Sequence, residues 1–144
     1  MYLKLSSPDR TIFDWEIYQI ILPTEIWDVI IKPWQNPMVT ALRPGIITIS
    51  PKDQIDNQNF INSEIWLSIS ISKWMVFVNN DIVKVITTIS QEIKDNDWKS
   101  LKSKKAELEK KVRKLRQSWS IEEIEEALTE LEKVNADIKL KTLR

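Results

Sequence analysis

Apolar residues in the first ninety positions come in short runs, several alternating with polar ones in steps of two, whereas beyond position 99 they recur in steps of three and four. Steps of two place neighbouring side chains on opposite faces of a strand; steps of three and four collect them on one stripe of a helix. The pattern predicts strands over Tyr2 to Leu5, Glu16 to Leu22, Val29 to Ile31, Met38 to Leu42, Ile46 to Ser50, Ile65 to Ile71, Met75 to Val78 and Ile82 to Thr87. Many short strands separated by breaks argue for an antiparallel sandwich or barrel. Asn79-Asn80-Asp81 reads as a hairpin turn, since Asn and Asp tolerate positive φ. The polar stretch Pro51 to Ser63 reads as a long, mobile loop without a motif of its own.

From Lys99 the chain is rich in Lys, Glu and Leu and free of Pro and Gly, which favours helix. Leu101, Leu108, Val112 and Leu115 form one apolar stripe, and Ile121, Ile124, Leu128, Leu131, Val134 and Ile138 a second. Ser120 followed by Glu123 is a capping box that opens the second helix, so the two form an antiparallel hairpin with a short connection. This divides the chain into a β domain over 1–90 and a helical hairpin domain over 91–144. The first helix carries nine Lys and Arg against Glu107 and Glu109, while the second opens on Glu122, Glu123, Glu125 and Glu126. Side by side they attract each other; apart, the first is a basic rod. The plain interpretation is a solvated coiled-coil face, and the sharper one is a helix that can leave its partner for an acidic surface.

Composition narrows the function. At 144 residues the chain holds one domain, or a small domain with an appendage. Its net charge is zero, so no overall field draws it to nucleic acid or anionic lipid. There is no cysteine and no histidine, which excludes disulfides, thiolate or imidazole metal sites, cysteine nucleophiles and the Ser/His/Asp arrangement. No Gly-rich phosphate-binding loop is present, no catalytic residue stands out, and no run of about 18 apolar residues appears. The expectation is a soluble, intracellular, unprocessed chain that is not an enzyme.

Glycine and tryptophan are out of balance. About 7% glycine is usual, yet Gly45 is the only one, and there are seven tryptophans. Trp15 follows Asp14, Trp27 and Trp34 stand between predicted strands, Trp74 separates two β runs and Trp119 holds the turn between the helices. Each place calls for a compact residue able to adopt positive φ. The sequence therefore suggests a gene that reads UGA as glycine, translated here as tryptophan; exposed aromatics on a binding surface are the alternative. Trp66 fits an ordinary strand, and Trp98 is uninformative.

With glycine at those positions, three stretches carry a family resemblance: Ser7-Pro8-Asp9-Arg10-Thr11-Ile12-Phe13-Asp14-Trp15-Glu16-Ile17, Leu22 to Gly45, and Ile71-Ser72-Lys73-Trp74-Met75-Val76-Phe77-Val78-Asn79-Asn80. In this order the chain resembles the epsilon subunit of F-type ATP synthases. The resemblance implies an N-terminal antiparallel β-sandwich of about ten strands followed by a C-terminal antiparallel α-helical hairpin. It implies a non-catalytic rotor subunit of the central stalk, bound to the gamma subunit and the c ring, on the cytoplasmic side of a bacterial inner membrane. The hairpin would either fold on the sandwich or extend toward the alpha and beta subunits and restrain ATP hydrolysis. Candidate gamma and c-ring contacts are Pro33, Trp34, Gln35, Asn36, Pro37 and Met38, with Gln35 and Asn36 replacing the family's His and Ala. Candidate inhibitory contacts are Lys104, Lys105, Lys111, Arg113, Lys114 and Arg116. The family's regulatory ATP motif is not matched, because Asn96-Asp97-Trp98-Lys99-Ser100-Leu101 lacks its Arg and Ala, so no cofactor is expected. The alternatives are a free-standing adaptor with a sandwich and a coiled-coil tail, and a nucleic-acid binder using the basic helix, which the neutral overall charge disfavours.

Overall fold

The computed structural model describes residues 1–57, 59–89, 98–118 and 120–142. Eight strands come first: β1 (Tyr2–Ser6), β2 (Thr11–Pro23), β3 (Asp28–Ile31), β4 (Met38–Leu42), β5 (Gly45–Pro51), β6 (Ile61–Asn62), β7 (Leu67–Asn79) and β8 (Ile82–Ile89). Two helices follow, α1 (Trp98–Ser118) and α2 (Ile121–Thr142). Eight strands are described where the resemblance implied about ten. Two of them are long, because the predicted runs Ile65 to Ile71 and Met75 to Val78 belong to the single strand β7, and β2 begins well before Glu16.

These two strands, of 13 residues each, build the architecture. The first half of β2 pairs with β1 and the second half with β3 and β5; the first half of β7 pairs with β5 and β6 and the second with β4 and β8. Each strand thus passes from one layer to the other, with register shifts between Ile17 and Gln19 and between Ile71 and Trp74, where an irregularity sharpens the bend. The pairing β1–β8–β7–β5–β2 returns to β1, so the sheet closes on itself like a flattened barrel. Closure needs one parallel pair, Tyr2–Ser6 beside Ile82–Ile86, a departure from the antiparallel arrangement expected throughout. Alternate residues of the longer strands point inward, so Leu3, Leu5, Phe13, Ile17, Ile20, Ile49, Ile69 and Val85 are fully buried in one core.

The stretch expected to be a mobile loop is tied down. Phe60 is buried and meets the Phe13 ring edge-on at 5.7 Å. Asn57 Nδ2 donates to the Ile12 carbonyl at 3.0 Å, and Lys52 pairs with Glu16 at 2.7 Å. The sole glycine is needed for close approach, since a Cβ at Gly45 would sit 2.8 Å from the Pro23 Cβ.

Only part of the tryptophan expectation holds. Trp34 has φ 65° and Asn80 φ 51°, as turn residues in the left-handed region. Trp15 and Trp74 lie in β2 and β7, opposite Leu3 and Thr87, and not in turns. Trp27 does close a turn, in which Thr24 N–H donates to the Trp27 carbonyl at 3.2 Å, but its φ is not positive. Trp119 lies outside the described residues, as do residues 96 and 97 of the stretch compared with the ATP motif.

The helices pack through the predicted stripe on α1, where Leu101, Leu108 and Val112 are buried. On α2 the buried set differs from the expected one: Ala127, Val134, Ala136, Asp137 and Leu140 are buried, while Ile121 is exposed. The reason is that α2 serves two surfaces, packing against α1 and also against β5 and β7. Ser120 accepts the Ile124 N–H through its carbonyl at 3.1 Å, the N-cap arrangement, without the reciprocal side-chain bonds of a capping box.

Candidate docking surface

At one end of the barrel three segments meet on Asp81. Its side-chain Oδ1 accepts the Trp34 N–H at 3.2 Å, and its carbonyl accepts the Tyr2 N–H at 2.7 Å. The positive φ of Trp34 turns its N–H toward the β7–β8 turn and leaves the indole 87% exposed. Of the other loop residues singled out in the sequence, Pro33, Asn36 and Pro37 are exposed and Gln35 and Met38 half-buried. Pro33 to Pro37 connect β3 to β4, Met38 being the first residue of β4, and they lie beside the hairpin Asn79 to Asp81.

Next to that turn lies an apolar surface that the sequence reading missed. On the outer face of β4, β7, β8 and β1, Val39 stands opposite Phe77, Met75 opposite Ile86, and Ile82 opposite Tyr2. Val39 is 60% exposed and Phe77 38%, while Met75, Ile82 and Tyr2 are exposed as well. Pro37, Met38, Val39, Phe77, Ile82 and Lys84 line an open groove of about 640 Å³. The signal was present in the sequence: Met75-Val76-Phe77-Val78 is apolar at both alternating positions, as in a strand covered on both faces. Val76 and Val78 fill the core, and Met75 and Phe77 face outward. Contiguous exposed apolar groups of this kind mark a site of association. Lys84 and Lys4 sit opposite each other within the surface, giving it a basic component.

The basic candidates lie elsewhere. Lys104, Lys111, Arg113, Lys114 and Arg116 are exposed on α1 and Lys105 is half-buried. Among the described residues none of the six makes an ion pair within 4 Å, so at these six positions the expected attraction between the helices is not expressed as close ion pairs. The hairpin covers the layer that contains β5 and the first half of β7, whereas the apolar surface belongs to the layer of β4, β8 and β1. The structure therefore does not bring the two candidate groups together.

Where α2 meets the sheet there is a buried polar cluster that sequence reasoning did not single out. Lys133 Nζ donates to Ser70 Oγ at 2.9 Å and pairs with Asp137 Oδ1 at 3.0 Å, and Ser70 Oγ donates to Asp137. Burial pushes the Lys133 ammonium below the ordinary lysine range more than the Asp137 carboxylate raises it, and Lys104 on α1 adds a smaller repulsion. Among the described residues no cluster of acidic side chains could hold a metal ion, and no helix is long and apolar enough to cross a membrane.

No family model matches the chain. It is similar to the ATP synthase epsilon chain of Prochloron didemni, with 24% identity over 135 residues that span 93% of this chain and 90% of that protein. A shorter match, 34% identical over 50 residues, links it to the ATP synthase epsilon chain of Jannaschia sp. strain CCS1, covering 35% of this chain and 38% of the other. In fold it resembles a chain of the Euglena gracilis mitochondrial ATP synthase, with TM-score 0.72, 19% identity, 99% of this chain and 80% of that one covered. A chain of the Tetrahymena thermophila mitochondrial ATP synthase central stalk and c-ring gives TM-score 0.52 at 15% identity, over 68% of this chain and 72% of its counterpart.

Proposed function

We propose that this chain is the epsilon subunit of an F-type ATP synthase, a non-catalytic part of the central stalk. The observation that carries the proposal is sequence similarity to an ATP synthase epsilon chain over nearly the full length of both proteins. The exposed surface of Val39, Met75, Phe77 and Ile82 fits such a subunit, because a rotor part must be held by its neighbours along its outer face. In this proposal the Pro33 to Met38 turn and the adjoining surface meet the gamma subunit and the c ring. Attachment to the membrane, the bacterial inner membrane on its cytoplasmic side, then runs through the complex. The β part, 1–90, and the hairpin, 91–144, act as separate domains, the first for assembly and coupling of rotation, the second for restraint of ATP hydrolysis.

For that restraint the proposed contacts are Lys104, Lys105, Lys111, Arg113, Lys114 and Arg116, engaging the alpha and beta subunits transiently. Six cations without close ion-pair partners can be transferred to an acidic surface without first breaking bridges on α1. The test is reconstitution of the host enzyme with this chain and with a variant in which the six are changed to Ala. Assembly should be equal, and ATP hydrolysis higher with the variant. Equal hydrolysis would remove the inhibitory role, and failure of the unaltered chain to join the complex would remove the proposal as a whole.

A further inference from the structure

Charged side chains are seldom buried between two packed elements, yet the contact of α2 with the sheet is centred on a pair of them. Lys133, Ala136, Asp137 and Leu140 recur at steps of three and four, on one side of α2. Only Leu140 of these is a large apolar group. Opposite them stands Ser70 of β7, one of three alternating serines, Ser68, Ser70 and Ser72, between the core residues Leu67, Ile69 and Ile71. Ser70 is fully buried, Asp137 is buried, and the Lys133 side chain retains 13% exposure. The β7 side of the contact is therefore polar, whereas toward β5 Pro44 and Ile46 line a cleft with Ala136.

We propose that the Ser70–Asp137–Lys133 cluster is the latch that sets whether the helical hairpin stays docked on the sheet. In the docked state each charge depends on the other, since a lone buried ion loses its hydration without compensation. Once α2 lifts off, water solvates both, and neither needs its partner. Removal of one partner thus penalises only the docked state, whereas replacement of both by apolar groups of similar size removes two desolvation penalties and holds the hairpin down. The latch makes docking sensitive to a single pair of residues, so a competing partner that supplies a carboxylate to Lys133, or donors to Asp137, would favour release. Any bearing on ATP hydrolysis rests on the function proposed above; the latch itself is a property of the isolated chain.

The chain has no cysteine, so two reporters can be placed cleanly. Spin labels at Glu64→Cys, exposed beside β6, and Glu130→Cys, exposed on α2, report the distance from sheet to hairpin in the full chain. The background protein should give one narrow distance distribution. Asp137→Ala should shift the docking equilibrium by about tenfold or more toward an added, longer distance, and Lys133→Met with Asp137→Leu should restore the single narrow peak. A distribution unchanged by Asp137→Ala, or a double variant that undocks as far as the single one, would overturn the latch. If Asp137→Ala loses the sheet signal in circular dichroism, the milder Asp137→Asn, which removes the charge and keeps a partner for Ser70, is judged by the same two outcomes. In the reconstituted enzyme Asp137→Ala should lower ATP hydrolysis relative to the double variant. Altered distances with unaltered hydrolysis would keep the latch and remove the inhibitory role.

Discussion

Trp34 and Trp15 would both be replaced if tryptophan stood where the natural chain has glycine, yet the structure predicts effects of different sign or size. Trp34 sits at φ 65° and is 87% exposed. Left-handed backbone costs a residue with a Cβ about 1–2 kcal/mol, while glycine adds about 0.4–1 kcal/mol of unfolded-state entropy, and the exposed indole forfeits only a small contact. Trp34→Gly should be neutral or stabilising by up to about 1 kcal/mol. Trp15 is in mid-strand, 48% exposed, with its ring edge-on to Phe13 at 5.5 Å. Roughly 100 Å² of it is buried, worth about 2.5 kcal/mol at 25 cal/mol per Å², and glycine in a strand costs about 0.5–1 kcal/mol more. Trp15→Gly should therefore destabilise by about 3 kcal/mol. At about 2–4 °C per kcal/mol for a chain of this size, the two variants should differ in Tm by roughly 6–16 °C. Reversible thermal melts followed by circular dichroism measure this directly. Equal losses, or a gain for Trp15→Gly, would refute the assignment of strain to position 34 alone.

Three further outcomes are expected. Val39→Asp, at a position 60% exposed, should lower stability by no more than about 1 kcal/mol, the span of strand propensities on an exposed face, and, on the proposed function, weaken co-purification with the gamma subunit; unaltered co-purification would exclude this face as the contact. Gly45→Ala should destabilise by about 1–3 kcal/mol, because the added Cβ meets Pro23 at 2.8 Å, and denaturant titration that finds no change would mean that Pro23 can yield. Lys133, with Asp137 on its own helix, Ser70 on β7 and Lys104 on α1 around it, has its proton affinity lowered mainly by burial. The docked state thus disfavours the ammonium, and this penalty, complete below the lowered value, is relieved as pH rises through it toward the ordinary lysine value of 10.5; because the neutral amine still donates to Asp137 and Ser70, the carboxylate is not left without a partner as it is when the side chain is removed, and docking should strengthen on the alkaline side. The spin-label distances report it, and the same pH dependence in Lys133→Met would show that another group is responsible.

The strands were legible where alternation was local. Leu67 to Ile71 and Ile82 to Thr87 declare themselves by period two, and Asn80 by its residue type. The first half of β2 was not legible, since Phe13-Asp14-Trp15 resembles a turn until its pairing with Leu3 to Leu5 is known. Nor was the parallel pairing of β1 with β8, which joins residues some eighty positions apart. The loop Pro33 to Met38 was found through its punctuation by Pro and Trp, but the apolar face beside it depends on which side of β7 is covered. Lys133 and Asp137 were invisible because a charged residue in a helix is assigned to solvent by default. Only the fold places Ser70 of β7 against them.

The ring of strands also fixes an order of events during synthesis. Tyr2–Ser6 cannot be enclosed until Ile82–Ile86 exists to pair with it, so the first strand made waits for the last. Until then β1 presents one edge with free N–H and C=O groups, the template on which strands of other chains can add. A nascent chain stalled before β8 would carry that open edge together with an unsealed core, and would be prone to aggregate. Once β8 emerges the barrel shuts in a single step of high sequence separation, and the helices are translated only afterwards, onto a platform already complete.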